Sequence, residues 1–168
     1  MIIKCFLAVC IVLCSLKIGI LISKKYKYRL EELDELKNEL KIIENKIKYT
    51  YQPLEEIFYE MIEISSFQIK SLYEYMTKNI KEIGAEKAWK EAVLKVDLNL
   101  NNEDKNVLKQ FGTLLGKTNK EGQLNQINFT AELLDRQIDN AIKERNKNEK
   151  MYQKLGLIFG VGIVIVLI

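Results

Sequence analysis

The chain is apolar at both ends and densely charged between them, a layout that asks it to satisfy two different solvents. Residues 5–22 carry a single charged side chain, Lys17, and residues 155–168 carry none. A helix rises about 1.5 Å per residue and a bilayer core is about 30 Å thick, so the eighteen residues of the first stretch come close to one crossing. Its Leu, Ile, Val and Phe side chains favour insertion by roughly 3–7 kcal/mol. That outweighs the roughly 2.5–3.5 kcal/mol cost of a mid-bilayer lysine. Lys17 also lies toward one end, where its stem reaches the headgroups. The second stretch, fourteen residues, makes only about 21 Å of helix. Continued back through Met151 and Tyr152 it nears a full crossing, with Tyr152 and Lys154 at headgroup level.

This patterning predicts a transmembrane helix in residues 1–23, a charged domain in residues 24–154 and a transmembrane helix in residues 155–168. Lys17, Lys24, Lys25, Lys27 and Arg29 end or follow the first apolar run, and Lys143, Arg145, Lys147, Lys150 and Lys154 precede the second. Basic residues beside a spanning helix stay in the cytoplasm. The expectation is a two-pass protein of the cell membrane, both termini outside and the central domain cytoplasmic. A cleaved signal peptide would need a basic leading region and a small-residue cleavage site, whereas only Lys4 and the amino terminus precede the run.

Composition then narrows the chemistry. Setting aside Lys4 and Lys17, the central domain has 24 basic residues against 23 acidic ones, too balanced for the basic field that binds nucleic acid. Its juxtamembrane lysines read instead as topology determinants and contacts to the lipid bilayer. Histidine is absent from the chain, and all three cysteines, Cys5, Cys10 and Cys14, lie in the first apolar run. The domain therefore lacks the usual general base, zinc ligands and thiolates. Cys10 and Cys14 share a helix face and read as packing residues. The expectation is no enzyme, no cofactor and no metal.

Within the domain, helical periodicity runs throughout, and the single proline, Pro53, opens a segment. Leu30, Leu33, Leu36, Leu40, Ile43 and Ile47 form one apolar stripe, on a helix expected to continue from the first membrane segment. Further helices are predicted with Leu54, Ile57, Phe58, Met61 and Ile62, then with Ile69, Leu72, Tyr73, Met76, Ile80 and Ile83, broken near Ser65 and Ser66 and capped by Gly84. A fourth spans residues 86–96. A fifth runs through Leu115 from a cap at Asn101 or Asn102. A long sixth starts near Gln123 and runs into the second membrane segment. The fold expected is all-α, a six-helix bundle flanked by transmembrane helices.

Motifs that could carry chemistry read better as architecture. Residues 112–118 resemble a phosphate-binding loop but have three residues between the glycines instead of four and no preceding strand. Glu31 with Glu32, and Glu55 with Glu56, sit at helix starts and are expected to solvate outer faces; Glu103 and Asp104 lie near the start of the fifth helix. Tyr49, Tyr51, Tyr59, Tyr73 and Tyr75 with Trp89 are expected to pack between helices. Gly156 and Gly160 make a GxxxG step, a candidate for membrane-helix packing.

Several of these residues, in order, carry a resemblance: Ile47, Lys48 and Tyr49 before Pro53 and Leu54; Ala88 with Trp89; Phe111, Gly112, Leu115 and Gly116, with Asn119 and Gln123 after them; and Lys150, Met151, Tyr152, Lys154, Leu155, Gly156 and Gly160 before an apolar end. The chain resembles the stage III sporulation protein AB family of spore-forming bacteria over nearly its whole length. Asn119 stands where that pattern would place an acidic residue. The family looks like a minimal relative of the type II secretion inner-membrane platform F protein, whose cytoplasmic domains are six-helix bundles. The resemblance implies a non-catalytic platform in a channel between mother cell and forespore during engulfment, in the mother-cell membrane around the forespore. It also implies, as partners, the secretion-type ATPase stage III sporulation protein AA and other membrane proteins of the channel; a second copy of the chain is a further candidate partner, for which the GxxxG step offers a contact. The residues offered for the partner interface are Phe111, Gly112, Leu115, Gly116 and Gln123. Competing expectations are a membrane-bound enzyme, which needs a polar pocket, and a signalling or adaptor protein that recruits a cytosolic partner.

Overall fold

The structure, a computed structural model, describes residues 2–50 and 52–167, without the side chains of residues 2–6, 8, 153, 166 and 167. Lys4, Cys5 and Tyr51, named above, therefore lie outside the described side chains. Six α-helices are present among the described residues: α1 Ile2–Tyr49, α2 Leu54–Ile64, α3 Phe67–Ile83, α4 Ala85–Lys95, α5 Asn102–Phe111 and α6 Lys120–Leu167, with a 3-10 turn at Gly112–Leu114. The chain divides into two compact units, residues 31–139 and residues 1–30 with 140–168.

The first unit is a helical bundle built on the predicted stripe. Leu33, Leu36, Leu40, Ile43 and Ile47 are all buried. Against them α2 sets Ile57, Phe58 and Met61, and α3 sets Ile69, Leu72, Tyr73, Met76 and Ile80. Aromatic rings form its centre: Trp89 lies 6.0 Å from Phe58, 6.1 Å from Tyr73 and 5.1 Å, edge-on, from Phe111. The indole N–H donates to the Leu108 carbonyl at 2.6 Å, so the buried ring leaves no orphan donor. Tyr49 and Tyr59, by contrast, are exposed.

Local chemistry sets the helix ends. Gly84, at φ +79°, closes α3, a conformation in which a Cβ would be strained. Asn101 caps α5 by accepting from the Asp104 N–H, and the Asp104 carboxylate accepts from the Asn101 N–H in return. The fifth helix stops at Phe111 and not at Leu115 as expected. A Cβ on Gly112 would come within 2.5 Å of Trp89 Cδ1. This close approach coincides with the change from α to 3-10 winding, and Gly116 at φ +71° then turns the chain.

The second unit packs differently. Gly19, Gly156 and Gly160 bring α1 and α6 together backbone to backbone: a Cβ on Gly156 would stand 2.8 Å from the Ser15 carbonyl oxygen, and one on Gly160 would stand 3.1 Å from the Val12 Cα. Ser15 Oγ donates to the Gly156 carbonyl at 2.6 Å. Tyr26 and Tyr152 stack at 5.9 Å, and Arg29 pairs with Glu144 at 2.7 Å. Leu7, Val9, Leu13, Ile18, Leu21, Leu157, Ile158, Phe159, Ile163 and Ile165 face outward. Among the described residues no helix is long and apolar enough to cross a membrane; residues 5, 6, 8 and 166–168 of the two apolar runs lie outside the described side chains.

Candidate interaction groove

Three chain reversals of the bundle meet around one open groove of about 510 Å³. Ile47 reaches it from the end of α1, and residues 52–55 enter from the start of α2. Ile80 and Ala85 flank the α3–α4 corner, and Gly116, Lys120 and Gln123 close it from the α5–α6 connection. Local chemistry permits each of these reversals. Pro53 cannot donate a backbone hydrogen bond and so begins a helix without loss, Gly84 permits an abrupt corner, and Gly116 allows its backbone past Ala85, whose Cβ would sit 3.6 Å from an added methyl.

Asn119 then starts α6. Its Oδ1 accepts from the Gly122 N–H at 3.0 Å and its carbonyl from the Gln123 N–H at 3.0 Å. An acidic residue there would accept the same bond, so the departure from the family pattern preserves the cap. Lys117 pairs with Glu86, which also accepts from Lys90 at 2.6 Å. The hydrogen bonds from these two ammonium groups hold the Glu86 carboxyl down at about 2. Lys120 donates to the Lys48 carbonyl at 2.7 Å, tying the start of α6 to the end of α1.

The residues offered as a partner interface separate into two groups. Phe111, Gly112 and Leu115 are buried: Phe111 against Trp89, Gly112 beneath the same indole, and Leu115 beside a small internal void shared with Ile47 and Leu54. Their burial keeps these three in the core, and none of them lines the groove. Gly116 and Gln123 do line the groove. Gly156 and Gly160 face α1 of the same chain.

The carboxylate pairs need one correction. Glu32, expected to solvate an outer face, is buried; it accepts from the Asn99 N–H at 2.7 Å and from Asn99 Nδ2 at 2.6 Å. Desolvation pushes its carboxyl up, against the lowering effect of those two donors. Glu39, which the sequence reading passed over, is buried as well. Glu32 and Glu39 are one heptad apart and flank Leu33, Leu36 and Leu40, so their position on the apolar face was the signal that could have found them. Among the described residues no cluster of three or more His, Cys, Asp or Glu is gathered to hold a metal ion. The phosphate-loop-like residues 112–118 follow a helix, with Gly112 buried and Lys117 paired to Glu86.

Comparison with known proteins agrees over most of the chain. A family model described as stage III sporulation protein AB matches residues 4–168. The stage III sporulation protein AB of Bacillus subtilis (strain 168) is 27% identical over 164 residues, covering 95% of this chain and 96% of that protein. A solved structure of a stage III sporulation protein AB is similar with a TM-score of 0.66 at 22% identity, covering 71% of this chain and 98% of that one, which supports the shared all-helical fold.

Proposed function

The chain belongs to the stage III sporulation protein AB family, and from that premise we propose that it is a non-catalytic membrane platform of a secretion-like channel between mother cell and forespore. In this reading the bundle is cytoplasmic, the two apolar ends span the membrane, and the protein couples a cytosolic secretion-type ATPase, stage III sporulation protein AA, to the other membrane proteins of the channel. The observation that carries it is the reversed packing of residues 1–30 and 140–168. Helices that meet through glycine backbones and turn leucine, isoleucine and phenylalanine outward suit a surrounding of lipid tails, where there is no hydrophobic drive between helices.

The groove supplies a docking place on the bundle for such a partner, with an apolar floor of Ile47, Pro53, Leu54 and Ile80 and a polar rim that includes Glu55, Lys120 and Gln123. Coupling by this route needs helices without a flexible break, and α1 and α6 are each continuous over 48 residues.

The test is detergent extraction of the full chain followed by pull-down with the candidate ATPase, comparing wild type with Gln123→Trp, which fills the groove without straining the backbone. Capture by wild type and loss by the variant are expected. Protease added outside intact cells is expected to spare residues 24–154. The reading is lost if wild type captures no ATPase and deletion of the protein leaves the channel assembled.

A further inference from the structure

Glu39 is the most buried acidic group of α1, at 4% exposure, and among the described residues it touches no cation. Its Oε1 lies 2.5 Å from Ser65 Oγ and its Oε2 lies 2.9 Å from the Tyr73 hydroxyl. Ser65 Oγ is also 2.6 Å from the Met61 carbonyl oxygen. The serine hydroxyl has one hydrogen, and two acceptors at such short range cannot share it without both contacts lengthening. The carbonyl carries no proton, so it must receive the serine's. The contact between Ser65 Oγ and Glu39 Oε1 then lacks a hydrogen unless the carboxyl supplies one.

We propose that Glu39 is held as a neutral carboxylic acid donating to Ser65 Oγ, and that the resulting chain of hydrogen bonds is a proton-linked latch fixing the α2–α3 corner against α1.

The surroundings agree with that assignment. From α1 the acidic neighbour is Glu35, which accepts from the Ser66 N–H at 2.6 Å at the same corner and adds to the upward push on the Glu39 carboxyl. The α2 end contributes only the Met61 carbonyl and the Ser65 hydroxyl, and α3 the Tyr73 phenol, itself fully buried and pushed well above its usual range by desolvation, so it remains a donor. Lys37 is occupied by Asp135 of α6. Burial pushes the Glu39 carboxyl up to about 7, ahead of the lowering effect of its two hydroxyl partners.

The sign follows from linkage. A carboxyl whose value is about 7 with the corner closed and an ordinary 4.5 with it open favours the closed corner fully below 4.5. That preference then falls about tenfold per pH unit until it levels off above 7. The corner so controlled carries Ile64 and Phe67 on its outside, 56% and 81% exposed. The latch thus makes the setting of an exposed apolar corner depend on pH near neutrality.

Carbon-13 NMR of labelled glutamate carboxyls, with amide hydrogen exchange corrected for intrinsic base catalysis, tests this on the full-length chain in detergent micelles from pH 4 to 9. Glu39 is expected to titrate near 7. The protection of the Ser65 and Ser66 amides, which donate to the Met61 carbonyl and to Glu35, is expected to drop about tenfold per unit between 4.5 and 7. Glu39→Gln, whose amide can donate to Ser65 and accept from Tyr73 as the neutral acid does, is expected to hold that protection flat and high. A Glu39 midpoint at or below 4.5 in wild type overturns the proposal whatever the variant does. So does a glutamine variant as weakly protected as wild type at pH 8.

Discussion

The two units of this chain solve the same problem, holding helices together, in opposite ways. Residues 31–139 bury large side chains, with Trp89, Tyr73, Phe58 and Phe111 at the centre, and most of the charge is left outside. Among the described residues of the other unit, no large apolar side chain is buried; Gly19, Gly156, Gly160 and Ser15 let backbones touch, and apolar side chains such as Leu21, Ile158 and Phe159 point away. The contrast teaches that apolar content alone does not say which way a helix faces. In water the drive is to remove apolar area, roughly 25 cal/mol per Å². Where that drive is missing, close contact and hydrogen bonds between small residues must hold the pair.

The sharpest way to break the comparison is at the aromatic centre. Trp89→Ala should destabilise the bundle by about 3–5 kcal/mol, read by chemical unfolding followed by circular dichroism, because it removes the ring that Phe58, Tyr73 and Phe111 all meet. It should leave the approach of the two helices in the other unit unchanged. A loss below 1 kcal/mol would mean that the centre is not what holds these helices.

Next comes the mirror experiment. Gly156→Val sets a side chain where a Cβ already meets the Ser15 carbonyl at 2.8 Å, an overpacking of about 1–3 kcal/mol. Thiol crosslinking between cysteines placed at Tyr26 and Tyr152, with Cys5, Cys10 and Cys14 replaced, should fall, while bundle unfolding stays as in wild type. Unchanged crosslinking would remove the glycine contact as the reason these helices meet.

Smaller effects refine the picture within the bundle. Asn101→Ala deletes the acceptor for the Asp104 N–H and should cost about 1 kcal/mol in the same unfolding assay. Glu86, held down at about 2 by hydrogen bonds from Lys117 and Lys90, is a surface group, so its effect should be the smallest. Its contribution is present above the ordinary 4.5 and is lost as pH falls toward 2. Glu86→Gln should therefore flatten the acid side of the stability profile and leave neutral stability nearly unchanged. A steeper acid loss in the variant would contradict the assignment.

Much of the bundle was legible beforehand because its signals are local. The stripe from Leu33 to Ile47 follows the helical period, Gly84 was the natural place for a corner, and Asn101 carries the side chain that caps a helix. What was misread depended on partners far along the chain. Phe111, Gly112 and Leu115 were offered as a partner interface, yet they are buried, and Trp89, some twenty positions earlier, covers Gly112 and packs on Phe111. Glu32 looked like a solvated helix-start residue because its partner, Asn99, is 67 positions away. Of the residues lining the groove, Gly116 and Gln123 had been singled out in the sequence, whereas Ile80, Ala85 and Lys120 had not, since no sequence period relates three separate chain reversals.

The amino-acid order alone thus settled that the chain is helical, how many helices it forms, and that both ends are apolar, because these follow from the turn of the backbone and the transfer preference of each side chain. Tertiary structure alone decided that Gly156 meets Ser15, that three corners share one groove, and that the Glu39 carboxyl lies against a hydroxyl that also contacts the Met61 carbonyl. Those outcomes depend on which distant atoms come within 3 Å. A buried polar group takes its protonation and partners from those atoms, and its own position in the chain does not specify them.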